Sequence, residues 1–314
     1  MRRLKSLEIC AGAGGQALGL EQAGFKHVAL VEIEALACKT LQKNRPYWNV
    51  ILSDLKQFDA SIYKGQVDLL AGGVPCPPFS IAGKQLGILD DRDLFPEAIR
   101  IAKECEPKAI MLENVRGLLE PKFESYRNSI ISTLEKLGYK CDWKLLNASD
   151  FGVSQLRPRS VLIALKKEYF KFFQWPEKQN GMRKSVGDLL YQEMAILGWE
   201  NAHNWKLKAN GIAPTLVGGS KKHGGADLGP TRARQAWLKL GVDGGGLAES
   251  PPINGFSGNP KLTLKMTSLI QGFPNEWEFV GKKTPAYRQI GNAFPPPVAK
   301  AIGVSILNAL TNGI

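Results

Sequence analysis

The chain has 314 residues, of which 44 % are hydrophobic and 22 % charged, a composition that excludes a disordered chain, a collagen-like repeat and a fibrous coiled coil. The net charge of +12 lies mainly in the second half, because residues 1–150 hold 20 basic and 19 acidic side chains whereas residues 151–314 hold 21 and 10. We therefore expect a nearly neutral half that binds a small ligand and a basic half that contacts phosphates.

The cysteine and hydropathy patterns favour a cytoplasmic protein. No apolar run approaches the ~20 residues of a membrane span. The five cysteines are widely spaced and form no CxxC pair, which argues against a disulfide framework and a zinc site. The three histidines have no metal-ligand spacing, so neither a metal nor a membrane is expected.

The first 165 residues alternate short apolar runs with amphipathic stretches. The apolar runs predict strands at 7–10, 28–31, 50–52, 67–71, 109–112 and 161–164. Helical periodicity lies between them at 16–23, 35–43, 94–104 and 123–137, and Gly138 is a helix-stop signal. This alternation predicts an α/β fold, an open and mostly parallel sheet with helices on both faces.

The alternation ends near residue 175. Residues 210–260 contain 12 glycines interleaved with basic residues, and no regular helix is predicted again before 297–310. Tryptophans at 199, 205, 237 and 277 indicate packing and argue against a flexible linker. We therefore expect a second, smaller and loop-rich domain that is suited to contact nucleic acid.

Three features at the strand ends suit a nucleotide-like cofactor. The first strand runs into the glycine-rich turn at residues 11–15, where the backbone can approach a ligand closely. That turn alone fits a dinucleotide, adenosylmethionine or no ligand. Glu32 ends the second strand, placed for ribose hydroxyls, and Asp54 follows the third, placed for an adenine amino group.

Chemically active side chains follow the later strands. Cys76 lies between prolines after the fourth strand, Glu113 ends the fifth, and Arg157 and Arg159 precede the last. Active sites of open α/β sheets lie at the carboxyl ends of the strands. The sequence therefore predicts a cysteine, a carboxylic acid and two arginines at one rim of the sheet.

In this order the motifs resemble those of the DNA cytosine-5 methyltransferases. The resemblance covers nearly the whole chain and includes residues 10–15, Glu32, Asp54, 75–76, 113–115, Gln155, Arg157, Arg159, 271–274, Gln289, Gly291, Asn292 and Pro295. It implies a Rossmann-like catalytic and cofactor-binding domain over 1–175, completed by 281–314, and a target-recognition domain over 176–280. Cys10 stands where the family has an aromatic residue, and Glu8 stands where it has Asp.

The resemblance implies a role for each catalytic residue. Cys76 would attack carbon 6 of a flipped-out cytosine as a thiolate. Glu113 would bind the exocyclic amine and share a proton with ring nitrogen 3, and Arg159 would hold the ring carbonyl. Asn114 would hold the cysteine loop in place, and Gln155 and Arg157 would support the loop that precedes the last strand.

The cofactor that the resemblance implies is S-adenosyl-L-methionine, lying across the strand ends. The residues expected to contact it are Cys10, Ala11, Gly12, Ala13, Gly14, Gly15, Glu32, Ile33, Asp54, Leu55, Gly73, Pro75, Leu94, Asn292 and Ala293.

The expected substrate is double-stranded DNA, methylated by a monomer in the prokaryotic cytoplasm or nucleoid. The chain resembles prokaryotic enzymes that are paired with a restriction endonuclease. Three alternatives stay open at this point: a tRNA cytosine-5 methyltransferase of the same fold, a nucleotide-dependent oxidoreductase, and a catalytically inactive DNA-binding module. The oxidoreductase would leave the cysteine and arginine motifs unexplained.

Overall fold

The computed structural model describes residues 3–75, 93–179, 183–219 and 225–313. The chain forms two compact units. The first comprises Met1–Leu146, Pro158–Glu177 and Val298–Ile314, and the second comprises Asn147–Arg157 and Lys178–Pro297. Residues 147–157 and 281–297 thus belong to the second unit, whereas the division into catalytic and target-recognition domains stays a prediction.

The first unit contains a seven-stranded sheet in the order β3-β2-β1-β4-β5-β7-β6. Strands β1 to β5 pair with one another in parallel. Strand β7 pairs with β5 in the antiparallel direction. The predicted open, mostly parallel sheet is confirmed. The strands are β1 Lys5–Ile9, β2 Lys26–Glu32, β3 Val50–Leu52, β4 Leu69–Gly72, β5 Ala109–Val115, β6 Tyr139–Asn147 and β7 Pro158–Lys166.

Strand β6 was missing from the predicted elements. It lies at the edge of the sheet and carries Lys140, Asp142 and Lys144, so it has no apolar run to detect. Charged side chains are usual on edge strands because they discourage pairing with another chain.

The four helices predicted among the strands and the helix predicted at 297–310 are confirmed, and one short helix, Lys167–Phe170, was not predicted. They are α1 Gly15–Ala23, α2 Ala35–Asn44, α3 Phe95–Cys105, α4 Glu124–Lys136, α5 Lys167–Phe170 and most of α11 Pro296–Asn312. Gly138 follows α4 with φ 86°, the left-handed conformation of a helix stop.

The central strands of the sheet are buried. Leu7 and Ile9 of β1 are fully buried in a core shared with Leu70 and Ile110 of the neighbouring strands. Because strands β1 to β5 are parallel, their carboxyl ends form one edge of the sheet. The loops that leave this edge carry most of the predicted site residues.

The second unit contains five helices among its described residues. They are α6 Val186–Ala195, α7 Ala202–Lys208, α8 Thr231–Lys239, α9 Leu264–Gln271 and α10 Lys283–Asn292. The prediction that no regular helix occurs before 297 is therefore wrong. These helices have 7 to 10 residues and, unlike the equally short α1 and α2, they do not alternate with apolar strands that mark their bounds.

The tryptophans of the second unit are packed, as predicted. Trp199, Trp205 and Trp237 are at most 3 % exposed and lie in one apolar cluster with residues of α6 and α9. This core shows that the glycine-rich half is a folded unit.

The C-terminal helices together are long and apolar enough to resemble a membrane span. Lys283–Asn312 has the length and hydropathy of a membrane span, but 61 % of its most apolar window is buried inside the protein. Buried core helices pass the same test of length and composition.

Candidate active site

A strained, open turn connects β1 to α1. Cys10, Gly12 and Gly14 have φ values of 49°, 54° and 88°, so the turn uses the left-handed conformation three times. The Ala11 N–H donates to the Val31 carbonyl over 3.1 Å, which ties the turn to β2. A Cβ atom at Gly12 would meet no atom within 4 Å, so there is open space beside the turn. Ala13 is buried within the turn.

Glu32, at the end of β2, braces this turn. Its Oε2 accepts the Gly12 N–H over 2.7 Å and its Oε1 accepts the Glu34 N–H over 2.8 Å. Burial raises the pKa of Glu32, and these backbone donors oppose that shift. A carboxylate has about four acceptor positions, so Glu32 retains capacity for a ligand hydroxyl.

The loops after β2 and β3 supply an apolar side chain and a second carboxylate. Ile33 is 60 % exposed, whereas Leu55 is buried. Asp54 Oδ1 accepts the Lys56 N–H over 3.0 Å and so starts a short 3-10 turn. An exposed apolar side chain suits a purine face, and carboxylates suit hydroxyl and amino donors. These residues therefore fit an adenosine.

The Cys10 thiol lies among carboxylates. Burial raises its pKa well above the usual range, and the charges of Glu32, Glu8 and Asp54 raise it further. Cys10 therefore stays a neutral thiol and is unsuited to act as a nucleophile. The same carboxylates favour a cation, which fits the sulfonium of S-adenosyl-L-methionine. A thiol has no ring, so the aromatic contact that the family makes at this position is absent.

An ion pair joins the ends of β5 and β7. Arg159 Nε lies 2.7 Å from Glu113 Oε1, with side chains 13 % and 11 % exposed. The antiparallel register pairs Val115 with Arg159, which brings the two side chains together. Burial lowers the pKa of Arg159 and the Glu113 carboxylate opposes that shift, so the guanidinium stays charged.

Gly73 lies against this ion pair. A Cβ atom at Gly73 would come within 3.1 Å of Glu113 Oε2, so a larger residue would crowd the carboxylate. The end of β4, which leads to Cys76, therefore passes directly beside Glu113. Cys76 itself lies outside the described residues.

The chain on both sides of residues 76–92 is fixed by hydrogen bonds. Asn114 Nδ2 donates to the Val74 carbonyl over 2.8 Å, and the Leu94 N–H donates to the Pro75 carbonyl over 3.3 Å. Leu94 immediately precedes α3. The predicted role of Asn114 is compatible with this contact.

Asp93 and Tyr126 form a second anchor that the sequence analysis missed. The buried Asp93 carboxylate accepts the Phe95 N–H over 3.1 Å and the Tyr126 hydroxyl. An aspartate two residues before a helix-initiating Phe95 is a recognisable local signal. Its tyrosine partner lies on α4, 33 residues away, and no local pattern indicates it.

Gln155 and Arg157 are buried within the second unit. Gln155 Nε2 donates to Gln271 Oε1 over 2.8 Å, and its Oε1 accepts the Leu216 N–H over 2.8 Å. Arg157 is 1 % exposed and donates to carbonyls of other segments. Its bonds reach the carbonyls of Leu216, Gly291 and Ala293 over 2.8, 2.7 and 2.9 Å. Both residues therefore position backbone segments.

Asn292 and Ala293 also belong to the second unit. Asn292 is exposed and donates from Nδ2 to the Gly219 carbonyl over 3.4 Å. Ala293 is buried. Their predicted contacts with the cofactor stay predictions.

A family model for C-5 cytosine-specific DNA methylases matches residues 4–308. The chain belongs to this family. Like other members, this methylase uses S-adenosyl-L-methionine to methylate carbon 5 of cytosine in DNA. That activity excludes the oxidoreductase alternative and disfavours the tRNA alternative.

Two curated relatives resemble the methylase over most of its length. The type II methyltransferase M.NgoMIV of Neisseria gonorrhoeae is 60 % identical, with 97 % of each chain covered. The type II methyltransferase M.NaeI of Lentzea aerocolonigenes is 56 % identical, over 99 % of this chain and 76 % of its own length.

Solved structures support the fold of the methylase. A putative DNA modification methyltransferase from an Escherichia coli prophage has a TM-score of 0.68 at 24 % identity, with 98 % of this chain and 99 % of its own covered. A DNMT2 mutant of Spodoptera frugiperda has a TM-score of 0.68 at 19 % identity, with 97 % and 99 % covered. Similarity at this level of identity supports the fold alone.

The residues that the structure describes contain no group of three His, Cys, Asp or Glu side chains that could hold a metal ion.

Proposed function

We propose that this methylase modifies one cytosine within a specific double-stranded DNA sequence, through a covalent bond between Cys76 and carbon 6 of the base. The observation that carries this proposal is the Glu113–Arg159 ion pair at the carboxyl edge of the sheet, beside the strand that leads to Cys76. The carboxylate accepts hydrogen bonds and the guanidinium donates them, so the pair suits the polar edge of a base, which offers both donors and acceptors.

The chemistry needs a nucleophile because carbon 5 of cytosine belongs to an electron-poor ring. The Cys76 thiolate would add to carbon 6, so that a sulfur–carbon bond forms, the 5,6 π bond becomes a double bond between carbons 4 and 5, and the displaced carbon 4–nitrogen 3 pair takes a proton at nitrogen 3. Carbon 5 is then an enamine carbon that would take the sulfonium methyl group, with S-adenosyl-L-homocysteine as the leaving group. Loss of the carbon 5 proton to a base such as water, followed by departure of Cys76, restores the aromatic ring.

Glu113 and Arg159 have complementary roles in this scheme. Glu113 would accept a hydrogen bond from the exocyclic amine and share a proton with ring nitrogen 3, which limits the charge that develops on addition. Arg159 bonds through Nε and Nη1, and among the described residues its Nη2 has no partner. That nitrogen would donate to the ring carbonyl and orient the base.

The cofactor residues hold the methyl donor at the adjacent strand ends. When bound, S-adenosyl-L-methionine supplies the electrophilic methyl group. Glu32 would accept the ribose hydroxyls, Ile33 would contact the adenine face, and Asp54 would accept the adenine amino group. The open space beside Gly12 accommodates the approach of the ligand to the backbone.

The target base must leave the helix because carbon 6 is inaccessible in a stacked duplex. Flipping a base costs a few kcal/mol, and phosphate contacts from basic side chains offset that cost. The second unit holds 16 basic and 9 acidic residues, which supports this role.

The biological setting that fits best is a restriction-modification system. Both relatives named above are type II methyltransferases, a class whose members protect DNA from a partner endonuclease. The methylase would act as a monomer on the DNA of a prokaryotic cytoplasm or nucleoid, with the endonuclease as a functional partner.

The experiment that tests this proposal compares wild type, Cys76→Ser and the control Cys141→Ser. Cys141 lies on the edge strand β6, away from the candidate site. Each protein is given labelled S-adenosyl-L-methionine with unmethylated genomic DNA or bulk tRNA, and products are identified by nucleoside mass spectrometry. We expect 5-methylcytosine in DNA from wild type and from Cys141→Ser only.

Other outcomes would contradict the proposal. Label in tRNA alone would move the substrate to RNA. An active Cys76→Ser variant would show that Cys76 is not the nucleophile.

A further inference from the structure

The basic side chains of the second unit fall into two groups. One group is neutralised by carboxylates within the unit, as Lys206 is by Asp188 and Lys265 by Glu193, at 3.0 and 2.9 Å. The other group includes Arg232 and Lys239 of α8. Among the residues that the structure describes, neither has an ion-pair partner, and both are exposed.

Helix α8 presents its polar residues on one face. Arg232, Gln235 and Lys239 follow the i, i+3, i+7 spacing that places side chains on a single helix face. Trp237 lies on the opposite face and is 0 % exposed. The helix has no acidic residue, since its sequence is TRARQAWLK. The exposed charges of this helix are therefore all basic.

Arg234 ties α8 to the segments before it. Its Nε donates to the Gly229 carbonyl over 2.8 Å and its Nη2 pairs with Asp227 at 3.1 Å, with the side chain 47 % exposed. A Cβ atom at Gly244 would lie 3.2 Å from Arg234, so the glycine permits a close approach. Of the two arginines on α8, Arg234 bonds to other residues of the unit, whereas Arg232 is exposed and has no ion-pair partner among the described residues.

We propose that α8 is a base-reading helix, which enters the major groove of DNA with Arg232 and Gln235 at base edges and Lys239 at a phosphate. This inference rests on the proposed function. A guanidinium can bind guanine through two hydrogen bonds, and a carboxamide can bind adenine in the same way. An α-helix with its side chains is about 10–12 Å across, which suits a major groove roughly 12 Å wide.

Charge complementarity selects DNA as the occupant of this face. A solvated surface helix normally mixes both charge signs, because opposite charges at i, i+4 stabilise it. Helix α8 lacks such pairs and is stabilised instead by the buried Trp237 and by Arg234. The exposed Leu238, at 51 %, adds an apolar contact of the kind that recognises a thymine methyl group.

The test uses a duplex library in which the positions around a cytosine are randomised, with methylation read by bisulfite sequencing. For Arg232→Ala and Gln235→Ala we expect the base preference to be lost at one position each. The value of kcat/KM on the preferred wild-type sequence should fall about 10-fold to 100-fold. Lys239→Ala should weaken methylation of all sequences alike and reduce its salt dependence.

Two variants serve as controls. Lys206→Ala removes a paired cation from the same unit and should keep both the rate and the base preference. Arg234→Ala removes an arginine from the same helix and should lower Tm while the methylated sequences keep their preference. The affinity for S-adenosyl-L-methionine should be unchanged in Arg232→Ala and Gln235→Ala.

The outcomes separate this inference from the function on which it rests. If wild type methylates the library and both Arg232→Ala and Gln235→Ala keep its sequence preference, the reading role of α8 is overturned and the enzymatic function stands. If wild type methylates tRNA and no duplex sequence, the inference and the proposed substrate both fail.

Discussion

The carboxyl edge of the sheet and the loop at 147–157 use arginine in opposite ways. In the first unit, Arg159 pairs with Glu113 and keeps one donor nitrogen without a described partner. In the second unit, Arg157 is 1 % exposed and donates to three backbone carbonyls. Two arginines that are two positions apart thus differ in kind: one pairs with a carboxylate at the candidate site, and the other donates to backbone carbonyls.

The largest effect is expected from a substitution of Glu113, the partner of Arg159. We expect Glu113→Gln to reduce the rate of methyl transfer about 10²-fold to 10⁴-fold, the usual contribution of a group that manages a proton. Because the amide leaves the buried Arg159 guanidinium without its counter-charge, Tm should fall as well. Single-turnover methylation and thermal unfolding measure the two effects, and a rate within tenfold of wild type would remove Glu113 from the chemistry.

Arg157→Ala tests the other side of the comparison. The buried carbonyls of Leu216 and Gly291 would lose a charged donor, whereas that of Ala293 keeps the Gln271 amide. Leaving a buried acceptor unsatisfied costs about 1–3 kcal/mol each, so we expect the free energy of unfolding to fall by at least about 2 kcal/mol, measured by urea denaturation. Lys64→Ala, which removes an exposed ion pair with Glu106, should change it by less than about 1 kcal/mol.

A stable but inactive Arg157→Ala variant would contradict this assignment. It would place Arg157 in contact with the substrate and abolish the distinction from Arg159.

The smallest expected effect concerns the pH dependence of stability and involves Glu8. Unlike Glu113, which pairs with Arg159, Glu8 is a buried carboxyl with no ion pair among the described residues. It is 1 % exposed and its Oε2 has no hydrogen-bond partner among the described residues. Burial raises the pKa of Glu8 from 4.5 to about 8. Since the folded state then binds the proton more tightly, stability is lost as the pH rises from about 4.5 through 8.

The measurement is the unfolding free energy of wild type and Glu8→Gln at pH 7 and pH 8. Wild type should lose about 1 kcal/mol over this interval, and the variant should not. Burial lowers the pKa of His27 from its ordinary value of 6.5 to about 4. The contribution of His27 to stability therefore changes with pH mainly below 6.5 and does not obscure the effect of Glu8 between pH 7 and pH 8. Parallel pH dependence in the two proteins would contradict the prediction.

The parts of the fold that were predicted correctly are those with strong local patterns. The central strands are continuous apolar runs because both faces of a parallel sheet are covered, and the helices of the first unit carry clear periodicity. The edge strand β6 and the short helices of the second unit lack such patterns, so they were missed. Asp93 could have been suspected from its position before α3, but its partner Tyr126 could not.

The sequence by itself determined the sheet, the glycine turn and the order of the motifs, because each depends on residues close together in the chain. Only the tertiary structure decided which arginines bond to backbone carbonyls, which pair with a carboxylate and which remain exposed. Arg157 reaches carbonyls 134 and 136 residues away, whereas Arg159 meets Glu113 through the antiparallel register of β5 and β7. On α8, Arg234 is bound to Asp227 and Arg232 faces solvent. Burial and partner choice are set by packing between distant segments, which no local pattern encodes.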